Sequence, residues 1–328
     1  MRLNFGSINE DVSRGREQSA ARQKSAGVRA HPITRRRFGI GMVLMAMATQ
    51  LPAESRPQRI VSTAPSITEV LFALGLGGQV VGVSRYCDFP PEVQKLPKVG
   101  SYIKPDLEAI ARLSPDLVIL QRNSSELTNR LNALRIAFVE VPHGTLNDVF
   151  AGIEIIAKAA GVPERAVAVT GKIKGDLDAI EAKAKKLASP GVLVILDRRQ
   201  ETLTDLIAVG PDNYVNEILQ IAGGRNVLAK PGLPQYPRIS METVLRENPD
   251  VILDLSGSQE SEAERETARA ATLELWRQNA ELMAVREGHV YVGTSNAMLV
   301  PGPRTPEAAQ RLFDYIHGPA NPQTGKQS

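Results

Sequence analysis

One block occurs twice in this chain: Asp106 to Leu120 reads DLEAIARLSPDLVIL, and Met241 to Leu253 reads METVLRENPDVIL. Glu108 and Glu242, Pro115 and Pro249, and Asp116 and Asp250 each stand 134 residues apart. In both copies a short apolar-periodic helix stops near a proline, and an apolar run with the length of a buried strand follows. A second pair, TEVLFALG from Thr68 and NEILQIAG from Asn216, keeps the same order. Two pairs in one order restrict the chain to two lobes of a common design. Strands alternate with connections of helical length, which predicts a mainly parallel sheet covered on both faces. The expected fold is α/β: two similar lobes with mainly parallel central sheets.

In the first lobe, expected over 58–142, Arg59 to Ser62 opens as a strand. Ser66 with Glu69 predicts a capping box for a helix that stops at Gly75. Val80 to Val83 is a strand, 84–104 an ordered loop rich in Pro and Gly, and Pro105 starts the first helix of the repeated block. Leu117 to Leu120, an amphipathic Ser124 to Leu134 and Ile136 to Val141 complete the lobe. Residues 143–189 read as connecting helices. Thr145 and Asp148 cap one through Ala160, and a long second one runs from Glu164 to Leu187 as a stiff joint that permits only small hinge motion. The second lobe, 190–317, takes a strand at Val192 to Leu196, helices at Tyr214 to Ile221 and from Met241 behind Ser240, and a strand at Val251 to Leu253. A helix from Glu260 to Glu281 anchored by Trp276, a strand at Val290 to Val292 and a helix at Pro306 to Ile316 follow. The tail, 318–328, is expected to be disordered.

The first 48 residues differ from the rest. They hold nine basic residues against Glu10, Asp11 and Glu17, so although the whole chain is +3, the residues after Ala48 are net negative. The sequence pI near 9.0 therefore belongs to the leader and gives no argument for nucleic-acid binding. Thr34-Arg35-Arg36-Arg37-Phe38 precedes a short apolar run, Gly39 to Ala48. Spanning a bilayer takes ~20 residues, so an export signal of the twin-arginine type is the expectation, cut after Ala48 or Ala53. Residues 49–57 then form a short linker to a periplasmic, monomeric protein. Cys87 is the sole cysteine, so no internal disulfide forms.

The motifs of catalysis are missing: there is no nucleophile elbow, no phosphate-cradling glycine loop and no dinucleotide fingerprint. His143, His289 and His317 are scattered, without metal-ligand spacing. No catalytic residue, metal site or cofactor is therefore expected. What stands out is aromatic and sits in loops. Tyr86 and Phe89 follow the Val83 strand, and Tyr102 and Tyr236 each lie six residues before the paired glutamates. That placement puts one ring on each lobe near the end of the sheet where α/β lobes bind ligands. A ring with a polar tip suits a bulky, flat ligand, although it also pins long loops. Glu108 and Glu242 serve the positive end of their own helices, or offer one carboxylate per lobe to a partner with two basic sites; both readings stand.

RIVSTAPSITEVLFALG, GVSRYCDFPPEVQKLPKVGSY and the two repeated blocks resemble the periplasmic binding proteins of ABC importers for iron-siderophores, haem and vitamin B12, most of all the vitamin B12 binders. The similarity runs from Arg59 to about His317. It implies two lobes joined by one long helix (the class III fold), a small-molecule ligand held between them, and an ABC permease as partner. The two glutamates that dock onto permease arginines in that family fall on Glu108 and Glu242. Ligand-contacting aromatics fall on Tyr86, Tyr102 and Tyr236. Another falls on Gln121, beside a retained Arg122, and one on Ala297, so two large rings are missing. Asn296 and Arg304 are expected to add polar contacts from the last loop. A ferric siderophore, met by Arg85, Arg122, Arg199 and Arg304, or a haem, with Tyr86 or Tyr102 on iron, remains an alternative to a corrinoid.

Overall fold

The computed structural model describes residues 56–122, 125–256, 262–293 and 298–318. The leader, Asn296, Ala297 and nearly all of the tail lie outside them. The first lobe contains β1 (Ile60–Ser62), α1 (Pro65–Ala73), β2 (Val80–Val83), α2 (Leu107–Arg112), β3 (Leu117–Gln121), α3 (Ser125–Ala133) and β4 (Phe138–Val141). Two helices follow, α4 (Leu146–Ala159) and α5 (Pro163–Ala184). The second lobe begins with β5 (Gly191–Asp197), β6 (Leu206–Ala208), α6 (Tyr214–Ile221), β7 (Arg225–Asn226) and β8 (Arg238–Ile239). It continues with α7 (Met241–Glu247), β9 (Val251–Asp254), α8 (Glu262–Arg277), α9 (Met283–Arg286), β10 (Val290–Val292) and α10 (Thr305–His317).

The repeat does the same mechanical work in both lobes. Asp116 accepts backbone hydrogen bonds from Gln58 (2.8 Å) and Arg59 (2.9 Å), and Asp250 accepts one from Gly191 (2.6 Å). Each copy thus ties its strand to the first strand of its lobe, β3 beside β1 and β9 beside β5, both parallel. Ser114 (φ 45°) and Asn248 (φ 39°) turn the chain through the left-handed region between helix and strand in the two copies. The first sheet has the order β2-β1-β3-β4 and is parallel throughout. The second has the order β10-β9-β5-β6-β8, with β7 also on β5, and here β6 runs antiparallel to both of its neighbours, β5 and β8. Those short strands, like α9, escaped the sequence reading.

Two local expectations need correction. Ser66 and Glu69 form no capping box: Pro65 already occupies the first turn of α1, the cap is Ala64, and no side chain caps it. The Ser66 hydroxyl instead accepts from Gln121 Nε2 at 3.4 Å. Pro105 lies ahead of α2, whose cap is Asp106, its carboxylate accepting from the N–H groups of Glu108 and Ala109. By contrast Thr145 and Asp148 make the full reciprocal box on α4.

At 22 residues α5 spans ~33 Å, and it buries Ala166, Thr170, Ile173, Leu177, Ile180 and Ala184. It packs against α4, α6 and α10. One apolar cluster runs through this joint from Ile60 in the first sheet to Val194 in the second and Leu312 in α10. Each lobe adds an outer cluster of its own, around Val118, Leu120 and Leu131 in the first and around Ile252, Leu273 and Trp276 in the second. A joint that shares its core with both sheets resists free swinging.

Candidate functional site

A cleft of about 910 Å³ opens at the carboxyl ends of β3 and β5, with walls from both lobes. That is the end of a parallel sheet where side chains and helix starts converge without strands in the way. Tyr86, Tyr102, Ile103 and Gln121 line the first-lobe wall, and Leu196, Tyr214, Tyr236 and Leu299 the second. His143 and Gly144 lie between, where α4 is about to begin.

Backbone contacts too close for a side chain hold the aromatic loops. Gly100 has φ +89°, and a Cβ there would stand 2.6 Å from the Asp106 nitrogen, so this glycine lets the Tyr102 loop fold onto the cap of α2. On the other lobe a Cβ on Gly210 would meet the Pro234 oxygen at 2.2 Å. The Gly210 N–H donates to the Gln235 oxygen (2.8 Å), and Asn213 Nδ2 donates to the same oxygen (3.0 Å), which pins the residue before Tyr236. Tyr86 and Tyr102 pack edge to face at 5.5 Å, whereas Tyr236 has no ring partner among the described residues. All three rings keep roughly half their surface in solvent.

Of the residues singled out in the sequence, Tyr86, Tyr102, Gln121 and Tyr236 meet in this cleft. Arg122 is exposed and is not part of the lining, while Asn296 lies outside the described residues. Arg304 is engaged elsewhere. Its Nε and Nη2 donate to the two carboxylate oxygens of Glu69 at 3.0 and 2.5 Å, and the Phe89 ring lies 4.2 Å from its guanidinium carbon. Burial pushes the Glu69 carboxyl up, with the Arg304 hydrogen bonds and charge opposing. Arg199 pairs with Asp205 (2.6 Å) and Arg85 stands exposed, so neither reaches the cleft wall. Among the described lining residues there is no Lys, Arg, Asp or Glu. Burial raises the phenols of Tyr236 and Tyr214, which keeps both as neutral hydrogen-bonding tips. Cys87 is buried against Thr68 Oγ1 (3.2 Å), and burial pushes its thiol up to about 11, so it packs as a small apolar residue.

Sequence reasoning missed His143, Ile103, Leu299 and Tyr214. Only Tyr214 carried a local signal, since it opens a helix directly after the capping Asn213. Glu108 and Glu242 are both exposed in the first turns of α2 and α7.

Residues 60–297 match the family model described as periplasmic binding protein. A vitamin B12-binding protein of Vibrio parahaemolyticus is 29% identical over 264 residues, 79% of this chain and 89% of the relative. An ABC transporter substrate-binding lipoprotein of Bacillus subtilis is 29% identical over 271 residues, 80% of this chain and 81% of the relative. Among solved structures, the periplasmic vitamin B12 binding protein of Vibrio cholerae aligns with TM-score 0.66 at 26% identity, covering 80% of this chain and 97% of the other. A periplasmic heme binding protein from Pseudomonas aeruginosa aligns with TM-score 0.69 at 26% identity, covering 83% and 98%.

Proposed function

The chain belongs to the periplasmic binding protein family, the ligand-capturing and non-catalytic component of ABC importers, and from that premise we propose that its ligand is a corrinoid of the vitamin B12 type. The observation that carries this reading is a cleft with tyrosine rings on both walls and no Lys, Arg, Asp or Glu among its described lining residues. A corrin ring is broad, apolar on its faces and rimmed with neutral amides. Rings face such a ligand well, and Gln121, Ser66 and Thr63 supply the amide and hydroxyl partners that a rim of amides needs. A ferric siderophore or the propionates of haem call for cationic partners, and the arginines expected for that task stand outside the lining. Haem is the second reading, on one observation: His143 lines the cleft, and imidazole is an iron ligand. Calorimetry with cyanocobalamin, haem and a ferric siderophore, alongside the visible spectrum, separates these. Tight binding of cyanocobalamin with haem weaker supports the corrinoid; the reverse order, with a shifted haem spectrum lost in His143→Ala, replaces it.

The partner is an ABC permease, and docking through Glu108 and Glu242, one from each lobe, is part of the proposal. Both are exposed, and both occupy the same place in the repeated block. Charge pairs at such an interface fix register and contribute several kcal/mol when desolvated (roughly 1.5–7 per close pair). The variant Glu108→Ala/Glu242→Ala is expected to lose permease binding and uptake while keeping ligand affinity; normal uptake returns both glutamates to helix stabilisation. Export through the twin-arginine route is proposed from Arg35 to Arg37 ahead of the apolar run. Arg35→Lys/Arg36→Lys/Arg37→Lys should strand the chain in the cytoplasm, and unaltered export of that variant argues for the general secretion route.

A further inference from the structure

The second pair of similar segments, TEVLFALG and NEILQIAG, places Glu69 in α1 and Glu217 in α6 at matching positions. Both reach across the joint. Glu69, in the first lobe, holds Arg304, the cap residue just before α10 at the end of the second. Glu217, in the second lobe, accepts from the N–H of Leu146 (2.5 Å), the first residue of α4, which leaves the first lobe. Between them the Tyr214 N–H donates to the Gly144 oxygen (2.7 Å), and its hydroxyl to Thr305 Oγ1 (3.2 Å). We infer that Arg304 is a positioning residue for the cleft: bound to Glu69 it forms a buried strut that sets the spacing of the two lobes, with Glu217 closing the reciprocal contact.

Three observations support a positional role over simple surface pairing. The side chains of Glu69 and Arg304 are 2% and 16% exposed, so the carboxylate has almost no water to fall back on if Arg304 withdraws, and the guanidinium has little. The pair is two-pronged, which fixes direction as well as distance. It also bears on both walls. Phe89, stacked on Arg304, belongs to the loop that carries Tyr86, and Pro301, three residues before Arg304, lines the cleft beside Leu299. A strut of this kind alters ligand affinity without touching the ligand.

The inference about affinity rests on the cleft being the ligand site, whereas the inference about spacing does not, and the experiment keeps them apart. Spin labels are placed in the full chain at exposed positions on each lobe, Glu126→Cys and Glu274→Cys, with the buried Cys87 left unlabelled. Glu69→Gln and Arg304→Lys are then compared with the parent for label separation without ligand and for the dissociation rate of cyanocobalamin. The expected result is a broader separation in both variants and dissociation faster by about ten-fold, a usual size for coupling between sites. Variants that melt at lower temperature but keep the parent separation and dissociation rate would make the pair a stabiliser only, and overturn the proposal. If Glu69→Gln does not fold, Glu217→Gln carries the same two readouts, since it leaves the buried arginine paired. A parent chain that ignores cyanocobalamin sinks the corrinoid reading, and the label separations then decide the strut alone.

Discussion

Leu120 and Asp254 stand at the same place in the two lobes, 134 residues apart near the ends of β3 and β9, and both are buried. Around Leu120 the outer core of the first lobe is apolar, built with Val61, Val118, Leu127 and Leu131. Asp254 instead anchors a charged network, accepting from Arg198 Nε (3.1 Å), Trp276 Nε1 (2.9 Å) and Ser256 Oγ (2.5 Å). Arg198 in turn donates to Thr272 Oγ1 (2.6 Å) and the Thr202 oxygen (3.1 Å). The repeated block therefore sets the frame, through its aspartate tie and its left-handed turn, and leaves the filling free. The second lobe places at this position a buried ion pair with hydrogen bonds to both partners, an arrangement that is strong only while complete.

Importing the first-lobe residue should break that lobe. Asp254→Leu leaves Arg198 buried without its carboxylate, a change expected to cost ~3–5 kcal/mol, followed in urea by the fluorescence of Trp276. Arg198→Met/Asp254→Leu removes both charges and should regain most of the loss; a double variant no better than the single would mean that the shape of the site, and not its charge, is what the lobe needs. The cleft offers the next contrast. Truncating a ring that grips a ligand commonly costs ~2 kcal/mol, about thirty-fold in affinity. Tyr102→Ala also deprives Tyr86 of its edge-to-face partner, while Tyr236→Ala frees no second ring. Calorimetry should find both variants impaired and Tyr102→Ala the worse, with melting of the ligand-free protein nearly unchanged. Equal affinity in both and the parent would return the rings to loop packing.

These contrasts separate what the sequence displays from what it hides. The lobes, the long joint and the strand ties are legible because each rests on local spacing or on a repeated segment. Tyr102 and Tyr236 were visible for the same reason, as two rings at one offset from two glutamates. Glu69 looked like half of a capping box because its true partner, Arg304, lies 235 residues further on. Periodicity carries no information on such a pairing, and the same blindness made Arg304 look available to a ligand. The strands β6 and β8 hold three and two residues, too few for an alternating pattern to emerge. His143 and Leu299 enter the cleft only because two distant loops converge there.

The smallest expected effect concerns the two glutamates proposed to dock. Each block carries an arginine four residues after its glutamate, Arg112 after Glu108 and Arg246 after Glu242. Only the first pair forms: Arg112 Nη1 lies 2.6 Å from Glu108 Oε1. Arg246 lies 3.4 Å from Glu247, which also takes Lys230 at 2.5 Å, and hydrogen bonds and charge from both cations hold the Glu247 carboxyl below its usual range. The first lobe has Leu113 where Glu247 stands, so Arg112 has no such competitor. Among the described residues Glu242 is unpaired, so under the proposed docking it would meet a permease arginine directly, while Glu108 would first have to leave Arg112. An exposed pair of this kind is worth ~0.3–0.5 kcal/mol, about a factor of two in binding. Arg112→Ala should therefore tighten binding to the permease in nanodiscs about two-fold, and Arg246→Ala should leave it unchanged. Raising the salt screens exposed pairs and should erase the difference between parent and Arg112→Ala. Weaker docking in Arg112→Ala would show that the arginine itself faces the permease, and would turn the comparison round: the first lobe would then present a charge pair where the second presents a lone carboxylate.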